Sequence, residues 1–140
     1  MGNSQSVQKI NFEDMQTAYK NPEIYLLMNT LPLSEQICLI SNTLTPQKEE
    51  TLMNHYLTSN KNIRIIIYGR NSNDETIYKK YNQLINLGFT NVYIYLGGIF
   101  EWLMLQDIYG FDDFPTTSRQ LDILKYKPNQ KLNISYIENG

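Results

Sequence analysis

Apolar and polar positions along the chain follow two periods. Ile63 to Tyr68 (IRIIIY) is a nearly continuous apolar run, the pattern of a strand buried on both faces of a parallel sheet. Val92 to Leu96 (VYIYL) repeats that pattern, and Ile24 to Met28 is a shorter run of the same kind. Around these runs, apolar residues recur at helical spacing. Phe12 to Tyr19 is expected to be a helix capped by Asn11, with Glu13 and Asp14 in the first turn, where the helix dipole favours acids. Thr45 and Pro46 suit the N-cap and first residue of a helix to about Leu57, with Leu52, Met53, Tyr56 and Leu57 on one face. Ser72 and Glu75 stand at capping-box spacing before a third helix, whose inner face is Ile77, Tyr81, Leu84 and Ile85. Gly88 ends it as a left-handed cap with Phe89 folded back. Gly97-Gly98 turns the chain into a last helix from Ile99 to about Leu105. Pro32 breaks the chain before a short apolar run at Cys38, Leu39 and Ile40. Met1 to Val7 has no periodicity and is expected to be unstructured.

Strand alternating with helix at these intervals predicts βαβ units. The expected fold class is α/β, a single domain with a central, mostly parallel sheet and helices on both faces. Residues 1–8 form a flexible N-terminal segment, 9–127 the domain with a C-terminal extension, and 128–140 a polar tail. Phe111, Phe114, Leu121, Ile123 and Leu124 in the extension are expected to pack on the domain. Ligands of such sheets sit beyond the carboxyl ends of the strands. Here that edge holds the loop after Tyr68 and the Gly97-Gly98 turn.

Composition narrows the chemistry. With 140 residues, 41% of them hydrophobic, the chain supports one core. The net charge of -2 and the lack of a basic block argue against sequence-independent nucleic-acid binding, which sets Lys and Arg against phosphate. The one cysteine, Cys38, leaves no intrachain disulfide or Cys-rich zinc site, and the one histidine, His55, no multi-His metal site. No metal or other cofactor is expected. No apolar run approaches the roughly 20 residues of a membrane helix, and the start lacks a signal-peptide pattern. The expectation is a reduced, cytoplasmic protein. Asn, Ile, Lys and Tyr outweigh Ala, Arg and Val, a bias of AT-rich codons that points to a protist or a large DNA virus.

The order of motifs then carries a resemblance. An apolar strand, a short loop opening a helix, LGF-x-NVY (Leu87 to Tyr93) and LGGIFEW (Leu96 to Trp102) follow one another. The stretch from Ile65 to Trp102 resembles a rhodanese (sulfurtransferase-like) domain. The likeness extends in outline over Ile10 to Asp107 and is specific in its second half. The resemblance implies a nucleophilic cysteine directly after the central strand, carrying a persulfide sulfur. Loop N–H groups and a helix N-terminus stabilise its thiolate and the bound anion. At that position this chain has Gly69. Late in the loop, where family members often bind an anionic donor through Arg, stand Asp74 and Glu75. The family's Asp-x-Arg after the first core strand is replaced by Met28-Asn29-Thr30. The loop Gly69, Arg70, Asn71, Ser72, Asn73, Asp74 and Glu75 is thus expected to be a degenerate active site with no catalytic residue. Its N–H groups are expected to be satisfied internally, by Ser72, Asn73 or Asp74.

Other chemistry-bearing residues have bland readings beside sharp ones. Cys38 is a buried core cysteine, or the relocated sulfur carrier of an atypical sulfurtransferase. Arg70 pairs with Asp74 or Glu75, or binds an anion. His55 has no catalytic partner and suits the surface of a helix. Tyr93, Tyr95, Phe100 and Trp102 are core, with a partner-binding face as the alternative. The expected function is a catalytically inactive rhodanese-like module for binding, regulation or assembly with an unknown protein partner. Met1-Gly2-Asn3-Ser4-Gln5-Ser6 matches the N-myristoylation pattern, making Gly2 a lipidation candidate. One myristoyl chain binds membranes only reversibly, so acylation would bring reversible membrane or virion association. The Asn133-Ile134-Ser135 sequon is expected to be idle.

Overall fold

Four strands alternate with four helices over residues 7–132, the part of the chain that this computed structural model describes. In chain order they are β1 (Gln8–Ile10), α1 (Phe12–Lys20), β2 (Tyr25–Asn29), α2 (Pro46–Ser59), β3 (Arg64–Tyr68), α3 (Thr76–Asn86), β4 (Asn91–Tyr95) and α4 (Gly98–Tyr109). The sheet order is β1-β4-β3-β2, and every pairing is parallel. β3 is central. Its register sets Tyr68 against Asn29 on one side and Tyr95 on the other, so three strands end at the same level.

Alternation within the strands feeds two cores, one per sheet face. Leu27, Ile66, Tyr68 and Tyr95 face α1 and α4, where Met15, Ala18, Tyr19, Ile99, Trp102 and Leu103 complete the first core. Leu26, Met28, Ile65, Ile67, Val92 and Ile94 face α3 through Ile77, Tyr81 and Leu84, with Leu52, Met53, Tyr56 and Leu57 of α2 partly buried against them. The expected α/β domain with helices on both faces is therefore present.

Local signals account for most element ends. Asn11 caps α1 in a full capping box with Asp14. Thr45 caps α2 with Pro46 at its first turn. Gly88 adopts φ +103 after α3, and Phe89 N–H reaches back to the Leu84 carbonyl at 3.2 Å. Two expectations fail, and two stretches to which the sequence pattern assigned no element also take shape. Gln8–Ile10, polar and short, is a strand, held only by pairing at the edge of β4. The Ser72–Glu75 capping box does not form: α3 begins at Thr76, and the adjacent Asp74 carboxylate takes the Thr76 N–H at 3.0 Å. The apolar run Cys38 to Ile40 joins no strand of the sheet; Ile40 makes a single antiparallel bridge to Thr116. In the C-terminal extension Phe114 is buried and Phe111 and Ile123 are half-buried, but Leu121 and Leu124 are 93% and 62% exposed. They sit around a short turn (Ile123–Tyr126) that buries Tyr126 instead.

Two buried phenols end β3 and β4 with opposite polar fates. Tyr68 accepts the Ile40 N–H at 3.1 Å and shares a 2.7 Å hydrogen bond with Thr43 Oγ1. Among the described residues the buried Tyr95 hydroxyl has no hydrogen-bond partner. Burial raises the pKa of both phenols, and the nearby Glu101 carboxylate adds to it for Tyr95. Deleting a used hydroxyl strands its partner, whereas deleting an unused one removes a desolvation cost of about 1–3 kcal/mol. We expect Tyr68→Phe to destabilise the domain by about 1–3 kcal/mol and Tyr95→Phe to be neutral or stabilising in urea unfolding. With folded pKa values raised, the unfolded state ionises first as pH rises. Stability should therefore fall above about pH 10, less steeply for Tyr95→Phe.

Candidate functional site

The carboxyl ends of β2, β3 and β4 meet at the loop that follows Tyr68. Gly69 and Arg70 turn across the start of α4: their carbonyls accept the Ile99 and Phe100 N–H groups at 3.0 and 2.8 Å. That approach requires Gly98. Its φ is +68, and a Cβ there would lie 2.6 Å from the Gly69 oxygen. The Gly97-Gly98 turn is thus where α4 docks on the loop.

The inside of the loop is filled by the chain itself. Asp74 Oδ2 accepts the Arg70 N–H at 2.9 Å. Oδ1 accepts the Thr76 N–H and the Thr76 hydroxyl, at 3.0 and 2.6 Å. Asn71 Oδ1 takes the Asn73 N–H at 2.9 Å. A carboxylate therefore sits at the amino end of α3, where N–H groups and the helix dipole favour negative charge. Gly69 lies beneath it. A Cβ on residue 69 would overlap Asp74 Oδ2 and come within 3.0 Å of Thr30 Oγ1. Gly69 has no left-handed backbone, so the obstacle to a side chain there is the Asp74 carboxylate, which it would have to displace. Of the three capping candidates, Asp74 acts and Ser72 and Asn73 stay exposed.

Arg70 does not use its side chain on Asp74 or Glu75. Its guanidinium reaches across to Glu35, with Nη1 2.6 and 2.7 Å from the two carboxylate oxygens. It also donates to the Lys125 carbonyl and lies 5.5 Å from the centre of the Tyr126 ring. Asn71 Nδ2 donates to the Tyr126 carbonyl at 2.8 Å. The C-terminal extension is thereby tied over the loop, and a cleft of about 750 Å³ remains between them. Arg70, Asn73, Asp74 and Glu75 line one wall; Lys125 and Lys127 line the other. Glu35, Thr30, Thr76, Lys125 and Tyr126 carry no motif. Glu35 and Lys125 lie 35 and 55 positions from Arg70, and no local pattern marks such pairs.

Cys38 lies under the same extension, buried, its thiol donating to the Ser118 carbonyl at 3.2 Å. Burial pushes its pKa up, against smaller lowering by Thr116, Ser118 and Lys125, so its environment favours thiol over thiolate. His55 is exposed on α2 with its ring edge to Tyr56. Asn29 and Thr30 stand where the resemblance implies Asp-x-Arg. Asn29 bonds to Gln36 and the Leu31 N–H, and the Thr30 and Thr76 hydroxyls share a 2.7 Å hydrogen bond, in which Thr30 donates because the Thr76 proton goes to Asp74. Tyr95 and Trp102 are core; Tyr93 and Phe100 are half-buried. Gly2 and Asn133 lie outside the described residues. Among the described residues no cluster of His, Cys, Asp and Glu could hold a metal ion, and no helix is long and apolar enough to cross a membrane.

Comparison with known proteins agrees with this geometry. A family model described as a rhodanese-like domain matches residues 31–105, more than half of the chain. The crystal structure of the Alr3790 protein from Anabaena sp. superposes with a TM-score of 0.56 at 19% identity, over 93% of this chain and 89% of that one. The solution NMR structure of the rhodanese-like domain of Alr3790 gives 0.56 at 20% identity, over 93% and 92%. The BH2092 protein from Bacillus halodurans gives 0.56 at 20%, over 74% of each chain. At these identities the likeness is one of fold. No curated protein matches the chain.

The packing of Asp74 on Gly69 makes a coupling testable. Gly69→Ala should displace the carboxylate from the Arg70 and Thr76 N–H groups and cost about 1–3 kcal/mol. In an Asp74→Ala background the same change should cost clearly less, a non-additivity read from urea unfolding of all four proteins. Additive costs would show that the two residues do not compete for one space.

Proposed function

The chain belongs to the rhodanese-like domain family, and we propose that it is a member without sulfur-transfer chemistry, acting as a binding, regulatory or assembly module with a protein partner. One observation carries the reading: the space above residue 69 is occupied by the Asp74 carboxylate. A sulfur-transfer site there needs a thiolate and room for an anionic donor beside free N–H groups. This loop supplies glycine and a fixed negative charge, and its Arg70, Asn73 and Asp74 N–H groups are already bonded. Arg70, the loop's one cation, is engaged by Glu35. Coulomb repulsion from Asp74 and Glu75 opposes thiosulfate as well.

The competing reading routes sulfur through Cys38. Its burial and raised pKa oppose it, since the thiolate is the nucleophile. The N-terminus belongs to the same proposal: Gly2 is a myristoyl acceptor that gives the domain reversible membrane or virion association. The chain enters β1 at the amino edge of the sheet, because β1 runs parallel to β4. The degenerate loop lies at the other, carboxyl edge.

We expect no sulfur transfer from thiosulfate to cyanide above background, and no persulfide by intact mass after incubation with thiosulfate. Gly69→Cys should remain inactive, because Asp74 holds the space and the charge. Activity in the unmodified chain that Cys38→Ser abolishes would overturn the proposal in favour of Cys38. Intact mass after production with a myristoyltransferase tests Gly2: an added myristoyl group is expected, and an unshifted mass refutes acylation.

A further inference from the structure

Helix α4 is apolar around almost its whole circumference, as its sequence GIFEWLMLQDIY shows. A helix of that kind is normally buried on all sides. Here Ile99, Trp102 and Leu103 face the core, while the opposite side does not. Phe100, Met104 and Ile108 recur at four-residue spacing and form one stripe. Phe100 is half-buried, Met104 is 42% exposed and Ile108 66% exposed. Tyr109, also 66% exposed, lies off the stripe, its ring 6.2 Å from that of Phe114.

Acids prevail along and just beyond the stripe. Glu101 and Asp107 flank it on the helix, and Asp112 and Asp113 follow its C-terminus, both exposed. Helix α4 contains no Lys or Arg. The nearby cation, Arg119, stacks over the Phe111 ring at 4.4 Å. This pattern sorts the occupants. In a two-fold antiparallel pairing of two copies centred on Met104, Glu101 of each copy would meet Asp107 of the other, and a parallel pairing would set each acid against itself. Like charges at such short range oppose both arrangements. An anionic membrane surface is repelled in the same way.

We propose that the outer face of α4 is a docking surface for a Lys- and Arg-rich amphipathic helix of a partner protein. Its apolar residues would cover Phe100, Met104 and Ile108, and its cations would meet Glu101, Asp107 and Asp112. The mode is helix packing through anchors spaced by turns of the helix. The proposal is separate from the reading of the loop: it holds whether or not residue 69 supports chemistry.

The test uses the full chain and two synthetic helical peptides with the same leucine stripe, one flanked by lysines and one by glutamates. The lysine peptide should shift the amide resonances of residues 100–109 saturably, and added salt should weaken the effect. The glutamate peptide should leave them in place. Ile108→Glu, at an exposed position, should abolish the shifts while the melting temperature is retained. Asp107→Asn, a second variant with little structural risk, should weaken binding about two- to fivefold. Equal binding of both peptides, or no change in α4 with either, would overturn the proposal. So would a light-scattering mass of a dimer that Ile108→Glu dissociates, or binding to phosphatidylcholine vesicles that the same variant removes.

Discussion

A carboxylate at the amino end of a helix has two possible origins: a ligand, or the chain itself. In this protein the chain supplies it. Asp74 holds the Arg70 N–H with one oxygen and the Thr76 N–H and hydroxyl with the other. Each is a charge-assisted hydrogen bond, about twice as strong as a neutral one. Together they fix the loop, start α3 and use the charge that the helix end would otherwise offer to an anion.

Two further contacts follow from the same placement. Because the loop closes inward on Asp74, its carbonyls turn outward to α4, and Gly98 is the residue that lets them approach. Because the Arg70 backbone is held by Asp74, its side chain is free to reach the opposite wall. There it gathers Glu35, the Lys125 carbonyl and the Tyr126 ring. A cation that would suit an anionic substrate instead fastens the C-terminal extension. The parallel sheet and its two cores are those of the rhodanese-like fold, while the polar groups at its carboxyl edge are turned to structure.

Much of this was legible along the chain. The IRIIIY and VYIYL runs marked β3 and β4 because strands buried on both faces carry apolar residues without alternation. Asn11, Thr45 and Gly88 marked helix ends through bonds or dihedral angles that depend on a few neighbouring residues. The absence of a thiol directly after β3 was legible too, since residue 69 is glycine. What escaped depends on distance. The strand at Gln8 exists only through its pairing with β4. Ser72 and Glu75 had the right spacing, but the helix starts only at Thr76, whose N–H the Asp74 carboxylate accepts. Arg70 was expected to pair with Asp74 or Glu75 and pairs with Glu35 instead, a partner no local pattern identifies. Leu121 and Leu124 were apolar enough to pack, yet the turn that contains Leu124 spends its buried position on Tyr126.

The central claim is that the anion cradle is already filled by Asp74, and titration of the unmodified chain with thiosulfate and with sulfate tests it most directly. The backbone amide resonances of Arg70 and Thr76 are the reporters. With the cradle filled by Asp74, neither moves saturably with either anion. Saturable shifts of both amides, with the anion taking the place of the Asp74 carboxylate, would contradict it.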